Sequence, residues 1–255
     1  MRVSLHSFQV SSKAAFRVFT ASCLVISALI VPSETWPQAS TQEQKPAIKY
    51  LEEGKGLLQK NKYAPAIQRF SGALRLDPKT AEAYLLRGQA YSKLSNHLRA
   101  IKDYSQYVEL QPSDPSGYIS RADTYNLLQE HQAALEDYSK AATLAPNRTE
   151  VYVGRGLAYA GLGKYQDAIK DYQQALKLDP ENLDALSNLG LAFMVVGKPT
   201  SAMTHFERAL ALEKDPAWRA RITAWIQELQ DKGAPKAPQA PQSTAPPAPG
   251  PRRLW

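Results

Sequence analysis

The sequence predicts an all-α solenoid of five helical hairpins, and a fixed repeat period carries this prediction. Pro78, Pro112, Pro146 and Pro180 recur at a constant spacing of 34, and Lys214 takes the next position. The same register aligns small residues at Gly54, Gly88, Ala122, Gly156 and Gly190, and aromatic residues at Phe70, Tyr104, Tyr138, Tyr172 and Phe206. Small residues let two helices approach closely, aromatic residues fill the space beside them, and proline cannot continue a helix. Each block is therefore a predicted hairpin of two helices.

Residues 1–33 have the pattern of an export signal. Arg2, Lys13 and Arg17 precede the apolar run VFTASCLVISALIV at 18–31. As a helix this run would span roughly 21 Å, which is short of the roughly 30 Å hydrocarbon core of a bilayer. A signal cleaved after Ser33, or alternatively after Ala39, is favoured over a membrane anchor formed by residues 18–31. The expected location is the periplasm or the extracellular space, with membrane contact only through this segment if it is not removed.

Residues 34–46 are predicted to form a loose linker, and the five repeats follow at 47–80, 81–114, 115–148, 149–182 and 183–214. These blocks resemble tetratricopeptide repeats, whose signature of small, aromatic, alanine and proline positions recurs about every 34 residues. The strongest local matches are RGQAY at 87–91, RGLAY at 155–159 and YQDAIKDYQQALKLDP at 165–180. The block pattern is broken by Tyr107, which stands where alanine is usual, and by Leu186, which replaces a tyrosine.

The resemblance implies a right-handed superhelix in which the first helix of each repeat lines a concave groove that binds protein. The family's groove positions, carried onto this sequence, are Leu51, Lys55, Leu58, Leu85, Gln89, Ser92, Ile119, Asp123, Asn126, Val153, Leu157, Ala160, Ser187, Leu191, Met194 and Val195. This lining is mixed in charge toward its N-terminal end and apolar toward its C-terminal end. Such a lining suits an extended or helical peptide with a few apolar anchors.

Charged residues recur at columns 7 and 23 of the repeats, where a column is a position counted from the first residue of each block. The expected pairs are Arg87 with Asp103, Arg121 with Asp137, Arg155 with Asp171 and, with the charges exchanged, Glu53 with Arg69. An antiparallel hairpin would bring these columns together as structural ion pairs. Each would be worth about 0–1 kcal/mol if exposed. An anion-binding ladder of arginines is the weaker reading, because each arginine has a matched acid.

Two further segments follow the repeats. Residues 215–232 are predicted to form a capping helix, because Asp215 and Pro216 have the form of a helix start and Trp218, Ile222, Trp225, Ile226 and Leu229 fall near one face. Residues 233–255 contain seven prolines and no acidic residue, which predicts a disordered tail. This tail is either a solvated spacer or a ligand for an aromatic-lined groove.

The net charge of +7 does not indicate nucleic-acid binding, because the excess lies outside the repeats. Residues 47–214 hold 21 Lys and Arg against 19 Asp and Glu, a net charge of only +2. No basic stripe, phosphate loop, metal-ligand spacing or nucleophile beside a base is evident. We therefore expect neither nucleic acid, nor a cofactor or metal, nor catalysis.

The sequence thus favours an exported, non-enzymatic scaffold that binds a protein or peptide of unknown identity in its groove. The alternatives are a non-catalytic subunit of an envelope enzyme or secretion complex and, less favoured, a protein whose tail binds nucleic acid or an anionic surface.

Overall fold

The computed structural model describes residues 41–232, which all belong to one compact unit. Eleven helices and no strand occur within this range. The first helices of the hairpins, here called the A helices, are α1 (Thr41–Gln59), α3 (Ala81–Lys93), α5 (Pro115–Leu127), α7 (Thr149–Gly161) and α9 (Leu183–Val195). The second helices, the B helices, are α2 (Tyr63–Leu76), α4 (His97–Leu110), α6 (His131–Leu144), α8 (Tyr165–Leu178) and α10 (Pro199–Leu212), and α11 (Pro216–Asp231) follows them.

Each helix packs against the helices before and after it in the chain, which confirms the predicted all-α solenoid. The predicted signal (1–33) and the tail (233–255) lie outside the described residues. The predicted linker (34–46) reaches into them, and there the structure differs from the expectation, because α1 already begins at Thr41. Residues 42–45 are Gln, Glu, Gln and Lys, which are good helix formers. Pro46 lies inside the helix, where it lacks the N–H that would donate to the carbonyl of Gln42.

The turn between the two helices of every hairpin has one geometry. At column 15 the backbone is left-handed in all five repeats, with φ of 55° at Asn61, 57° at Ser95, 60° at Gln129, 72° at Gly163 and 70° at Gly197. The next residue donates its N–H back to the carbonyl at column 11, for example Lys164 to Tyr159 at 2.8 Å. This is the hydrogen bond of a Schellman motif, which ends a helix and reverses the chain. Only the last two repeats use the glycine that this backbone favours.

The small-residue column places the two helices of a hairpin in close contact. A Cβ added to Gly156 would lie 2.5 Å from Cε1 of Tyr172, and one added to Gly190 would lie 2.5 Å from Cε1 of Phe206. Both aromatic side chains are fully buried. In the third repeat the column holds Ala122, and the Tyr138 ring instead occupies the space that the missing side chain of Gly154 leaves in α7.

Tyr107, which stands where alanine is usual, is accommodated by a glycine in the next repeat, Gly117. Tyr107 is buried, and its hydroxyl donates a short hydrogen bond to Asp114, the N-cap residue of α5. A Cβ added to Gly117 would lie 2.5 Å from Cδ1 of Tyr107 and 2.9 Å from Cγ2 of Val108. The larger residue in α4 therefore fits because α5 has no side chain opposite it.

The last helix, α11, covers the end of the solenoid by packing on α10. Ile222 and Leu229 are buried, and Trp225 stacks on Phe206 with ring centroids 5.1 Å apart. The charged residues Arg219 and Arg221 are exposed. Within residues 41–232, none of the helices combines the length and apolar character that a membrane crossing requires.

Candidate functional site

The A helices form one continuous surface, which we call the groove surface. Successive A helices contact each other along the chain, from α1 with α3 to α7 with α9, whereas the B helices of the described repeats make no comparable contacts with one another. When one set of helices is closer together than the other, the stack curves toward that set. The A helices therefore lie on the inner side of the curve.

The predicted groove residues differ in how deeply the structure buries them. Those buried between neighbouring helices are Leu51, Ile119, Val153, Leu157, Ala160 and Ser187. Those half-buried are Lys55, Leu58, Leu85, Gln89, Ser92, Asp123, Asn126, Leu191 and Met194, and Val195 is 54% exposed. The buried residues of this set are not accessible to a ligand: Leu157, for example, is only 8% exposed and therefore belongs to the packing between repeats.

The N-terminal part of the groove surface is charged and already paired. Lys55 Nζ lies 2.8 Å from Oε1 of Glu82 on α3 and 2.9 Å from Oε1 of Glu52 on its own helix. The hydrogen bond to Glu82, followed by that to Glu52, raises the pKa of Lys55. This triad links the first two A helices and presents both signs of charge to a ligand.

The middle of the groove surface is polar and held by internal hydrogen bonds. The Tyr138 hydroxyl donates a short hydrogen bond to Asp123. Asn126 Nδ2 donates to the carbonyl of Gly154 at 3.0 Å, and Asn126 Oδ1 lies 3.2 Å from Nδ1 of His131. These bonds tie α5 to α6 and α7, so Asp123 and Asn126 position the third and fourth repeats as well as line the surface.

The C-terminal part is apolar. Leu191 and Met194 pack at the edge of the large core cluster, and Val195 is exposed beside them. Nearby, the His205 imidazole is stacked on Phe193 with ring centroids 5.6 Å apart. Burial, and then the charge of Arg208, lowers the pKa of His205 to about 4. This end of the protein therefore keeps a neutral imidazole at physiological pH.

Sequence reasoning assigned α11 only a capping role, but the helix also continues the register of the A helices. It begins at residue 216, one position before the start that the repeat period sets after residue 183. Arg221 and Trp225 consequently occupy columns 5 and 9, the groove columns of Leu51 and Lys55 in the first repeat, and Trp218 occupies column 2 of the same helix. The Arg221 guanidinium lies 5.4 Å and 5.6 Å from the centroids of the two indole rings. The repeat period alone could have indicated these groove positions.

The four expected charge pairs are present as ion pairs. Nε of Arg121 lies 2.7 Å from Oδ2 of Asp137, the two side chains are 19% and 10% exposed, and a second bond from Nη2 makes the contact bidentate. Arg121 Nη1 also donates to Ser105 of the preceding repeat at 2.9 Å, and the guanidinium lies over the Tyr118 ring. The pairs formed by Arg87 and Arg155 have the same bidentate form. They are less exposed than surface ion pairs and fix the orientation of the two helices.

The pair in the first repeat differs from the other three. Arg69 Nε lies 3.3 Å from Oε2 of Glu53, and the side chains are 47% and 38% exposed.

Among residues 46–232, no cluster of three or more His, Cys, Asp or Glu side chains could hold a metal ion.

Family models match most of the repeat region. One described as "TPR repeat" matches residues 156–197. Two others are described as "Tetratricopeptide repeat": the first matches twice, at residues 51–115 and 88–149, and the second matches residues 185–219. Together they cover residues 51–149 and 156–219. No curated protein sequence is significantly similar to the chain.

Several solved structures share the fold. MamA from Desulfovibrio magneticus RS-1 is 20% identical with a TM-score of 0.62, and the match covers 76% of this chain and 99% of that one. YrrB, described as a TPR protein with an unusual peptide-binding site, is 21% identical with a TM-score of 0.60 over 70% and 92% of the two chains. TTC0263 from Thermus thermophilus is 24% identical with a TM-score of 0.57 over 71% and 99%.

Proposed function

Because this chain belongs to the tetratricopeptide repeat family, we propose that it is a non-catalytic scaffold that binds a partner protein or peptide on its groove surface. The main support is the continuous surface of A helices, which is long, concave and varied along its length. The similarity in fold to YrrB, which has a peptide-binding site, is consistent with this use of the surface.

The chemistry of the groove surface favours a peptide whose apolar anchors bind at the C-terminal end. Leu191, Met194 and Val195 offer accessible apolar side chains there, whereas the polar side chains Asp123 and Asn126 are already engaged. Apolar anchors supply most of the affinity in a helix-lined groove, and charged positions mainly select the register. The Lys55 triad would make contacts of this selecting kind.

We further propose that the protein acts outside the cytoplasm. The support is the basic start and apolar run of residues 1–31. N-terminal sequencing of the protein isolated from its own cells tests this point. A mature start at residue 34 or 40 is expected, and an intact Met1 in the cytosol would contradict it.

Site-specific photocrosslinking tests the groove proposal. The full-length tagged chain is produced in its own cells with a photoreactive residue in place of Val195, and in a matched version in place of Gln173, an exposed residue of the B helix α8. Mass spectrometry then identifies the attached proteins. We expect one recurrent protein to crosslink from position 195 and not from position 173.

The affinity of the partner found in this way gives a second measurement. Met194→Glu and Val195→Glu should each weaken binding at least about tenfold, because a carboxylate would be desolvated against the apolar anchor. Gln173→Glu adds the same charge on α8 and should leave binding unchanged. Equal crosslinking from both positions, or equal weakening by all three variants, would contradict the proposal.

A further inference from the structure

A cavity of about 370 Å³ lies in the second repeat, between α3 and α4. It is lined by Tyr84, Arg87, Tyr91, Arg99, Lys102, Asp103 and Gln106. Its volume lies near the lower end of the range for small-ligand pockets. We call it the repeat-2 pocket.

The repeat-2 pocket opens on the side of α3 away from the groove surface. The groove columns of this helix hold Leu85, Gln89 and Ser92, whereas the pocket is lined by Tyr84, Arg87 and Tyr91. At about 100° of rotation per residue, the centres of the two sets lie roughly 130° apart around the helix. A ligand of the pocket would therefore not compete directly with a peptide on the groove surface.

The pocket carries an excess of positive charge. Arg87 is neutralised by Asp103, because Nε and Nη2 both donate to its carboxylate at 2.7 Å. Arg99 and Lys102 are exposed and form no ion pair within residues 46–232. The side-chain amide of Gln106 donates to Glu109 at 2.9 Å, so the N–H in that bond is not available to a ligand. Two cations thus remain for a ligand.

Two aromatic rings hold the arginines of the pocket in place. The Arg99 guanidinium lies 5.6 Å from the centroid of the Tyr91 ring, and the Arg87 guanidinium lies 5.6 Å from that of Tyr84. A guanidinium stacked on a ring loses less conformational freedom when it binds, and its planar fork matches a carboxylate. The pocket is therefore partly organised for an anion before one binds.

The same columns in the other repeats do not reproduce this charge. Columns 19 and 22 hold Arg99 and Lys102 in the second repeat, but Pro65 and Gln68, Ala133 and Glu136, Asp167 and Lys170, and Ser201 and Thr204 in the others. The one other cation in these columns, Lys170, is neutralised by Asp167 at 2.9 Å. The two free cations are specific to the second repeat and are not a general surface property of the fold.

We propose that the repeat-2 pocket binds an acidic side chain of a partner protein, with the carboxylate between Arg99 and Lys102 and its aliphatic part against the tyrosine rings. An acidic protein segment fits better than a nucleic acid, because a phosphate backbone needs cations that continue into neighbouring repeats. Those positions are neutral, acidic or already paired. The site is separate from the groove surface, so it stands or fails independently of peptide binding there.

The test measures binding of a fluorophore-labelled hexaglutamate peptide, capped at both ends, to the full-length chain at about 100 mM salt, where weak long-range attraction is reduced. A capped hexaglutamine peptide and a single-stranded oligothymidylate are the comparison probes. The pocket variant is Arg99→Gln with Lys102→Gln. The matched control, Lys164→Gln with Lys177→Gln, removes two exposed lysines elsewhere and changes the net charge equally.

We expect hexaglutamate to bind at least about tenfold more weakly to the pocket variant, and within about twofold of wild type to the control. Hexaglutamine should not bind measurably to the wild-type chain or to either variant. Circular dichroism melting establishes that both variants fold. Equal weakening by the control would show attraction to net charge only, and preferential loss of oligothymidylate binding in the pocket variant would show a phosphate-binding patch; either result overturns the proposal.

Discussion

Removing one member of a half-buried charge pair should cost far more stability than removing one member of the exposed pair at the same columns. Asp137→Ala leaves Arg121 with its hydrogen bond to Ser105 but without the carboxylate that accepts two bonds from its guanidinium. Breaking a fully buried pair costs about 3–5 kcal/mol. Because Arg121 is 19% exposed and alanine favours a helix slightly more than aspartate, we expect a loss of about 2–3 kcal/mol.

The first repeat contains the matched control. Glu53→Ala breaks a pair in the same two columns, but its side chains are 38% and 47% exposed and the nearest atoms are 3.3 Å apart. Water replaces the lost interaction there, so we expect a cost below about 1 kcal/mol. The two variants thus differ mainly in burial.

Thermal unfolding followed by far-UV circular dichroism measures the difference. For a fold of this size, about 1 kcal/mol lowers Tm by about 2–4 °C, so Asp137→Ala should lower it by roughly 4–12 °C and Glu53→Ala by less than about 4 °C. Hydrogen exchange should locate the lost protection in α5 and α6. Equal losses of Tm for the two variants would show that burial does not determine how much such a pair stabilises the fold.

Three further outcomes are expected. Gln129→Gly should raise the free energy of unfolding by about 0.5–1 kcal/mol because φ is 60° there, and Gly163→Ala should lower it by a similar amount because φ is 72°; urea unfolding of both checks the sign. Gly117→Ala should destabilise by about 1–3 kcal/mol through overlap with Tyr107, and combining it with Tyr107→Ala should recover part of that loss in a double-mutant cycle; additive costs would contradict the contact. The folded-state pKa of His205, about 4, lies below its unfolded value of about 6.5. The neutral imidazole therefore makes its full contribution to the free energy of unfolding above pH 6.5, and this contribution is lost as the pH falls toward 4. By pH 5 the loss should approach about 2 kcal/mol, and His205→Asn should remove this part of the pH dependence of urea unfolding.

The repeat period predicted the fold well because each column is a separate physical constraint that recurs. The helices α3, α5, α7 and α9 begin exactly one repeat period apart, at Ala81, Pro115, Thr149 and Leu183, as the aligned columns indicate. Even the departure at Tyr107 did not alter the hairpin, because Gly117 provides the space for it. A start at Thr41 was not predicted, because the repeat register says nothing about residues that precede the first block.

The candidate site was only partly predictable. The register identified which residues face the inner side of the curve, but not which of them neighbouring helices cover. Leu157 and Leu191 share one column, yet Leu157 is 8% exposed between the third and fifth repeats, whereas Leu191 near the end of the stack is less covered. Exposure depends on how closely adjacent repeats approach, and that distance is a tertiary property.

The amino-acid order by itself determined the helical hairpins, their number and the pairing of columns 7 and 23, because these follow from local periodicity and from contacts at a constant separation along the chain. Only the tertiary structure decided how deeply Asp137 is buried, that Tyr138 reaches Asp123, and that Arg99 and Lys102 share a pocket with two tyrosine rings. These features depend on the angles and distances between packed helices. Side-chain volumes across several repeats set those angles and distances together, so no single column encodes them.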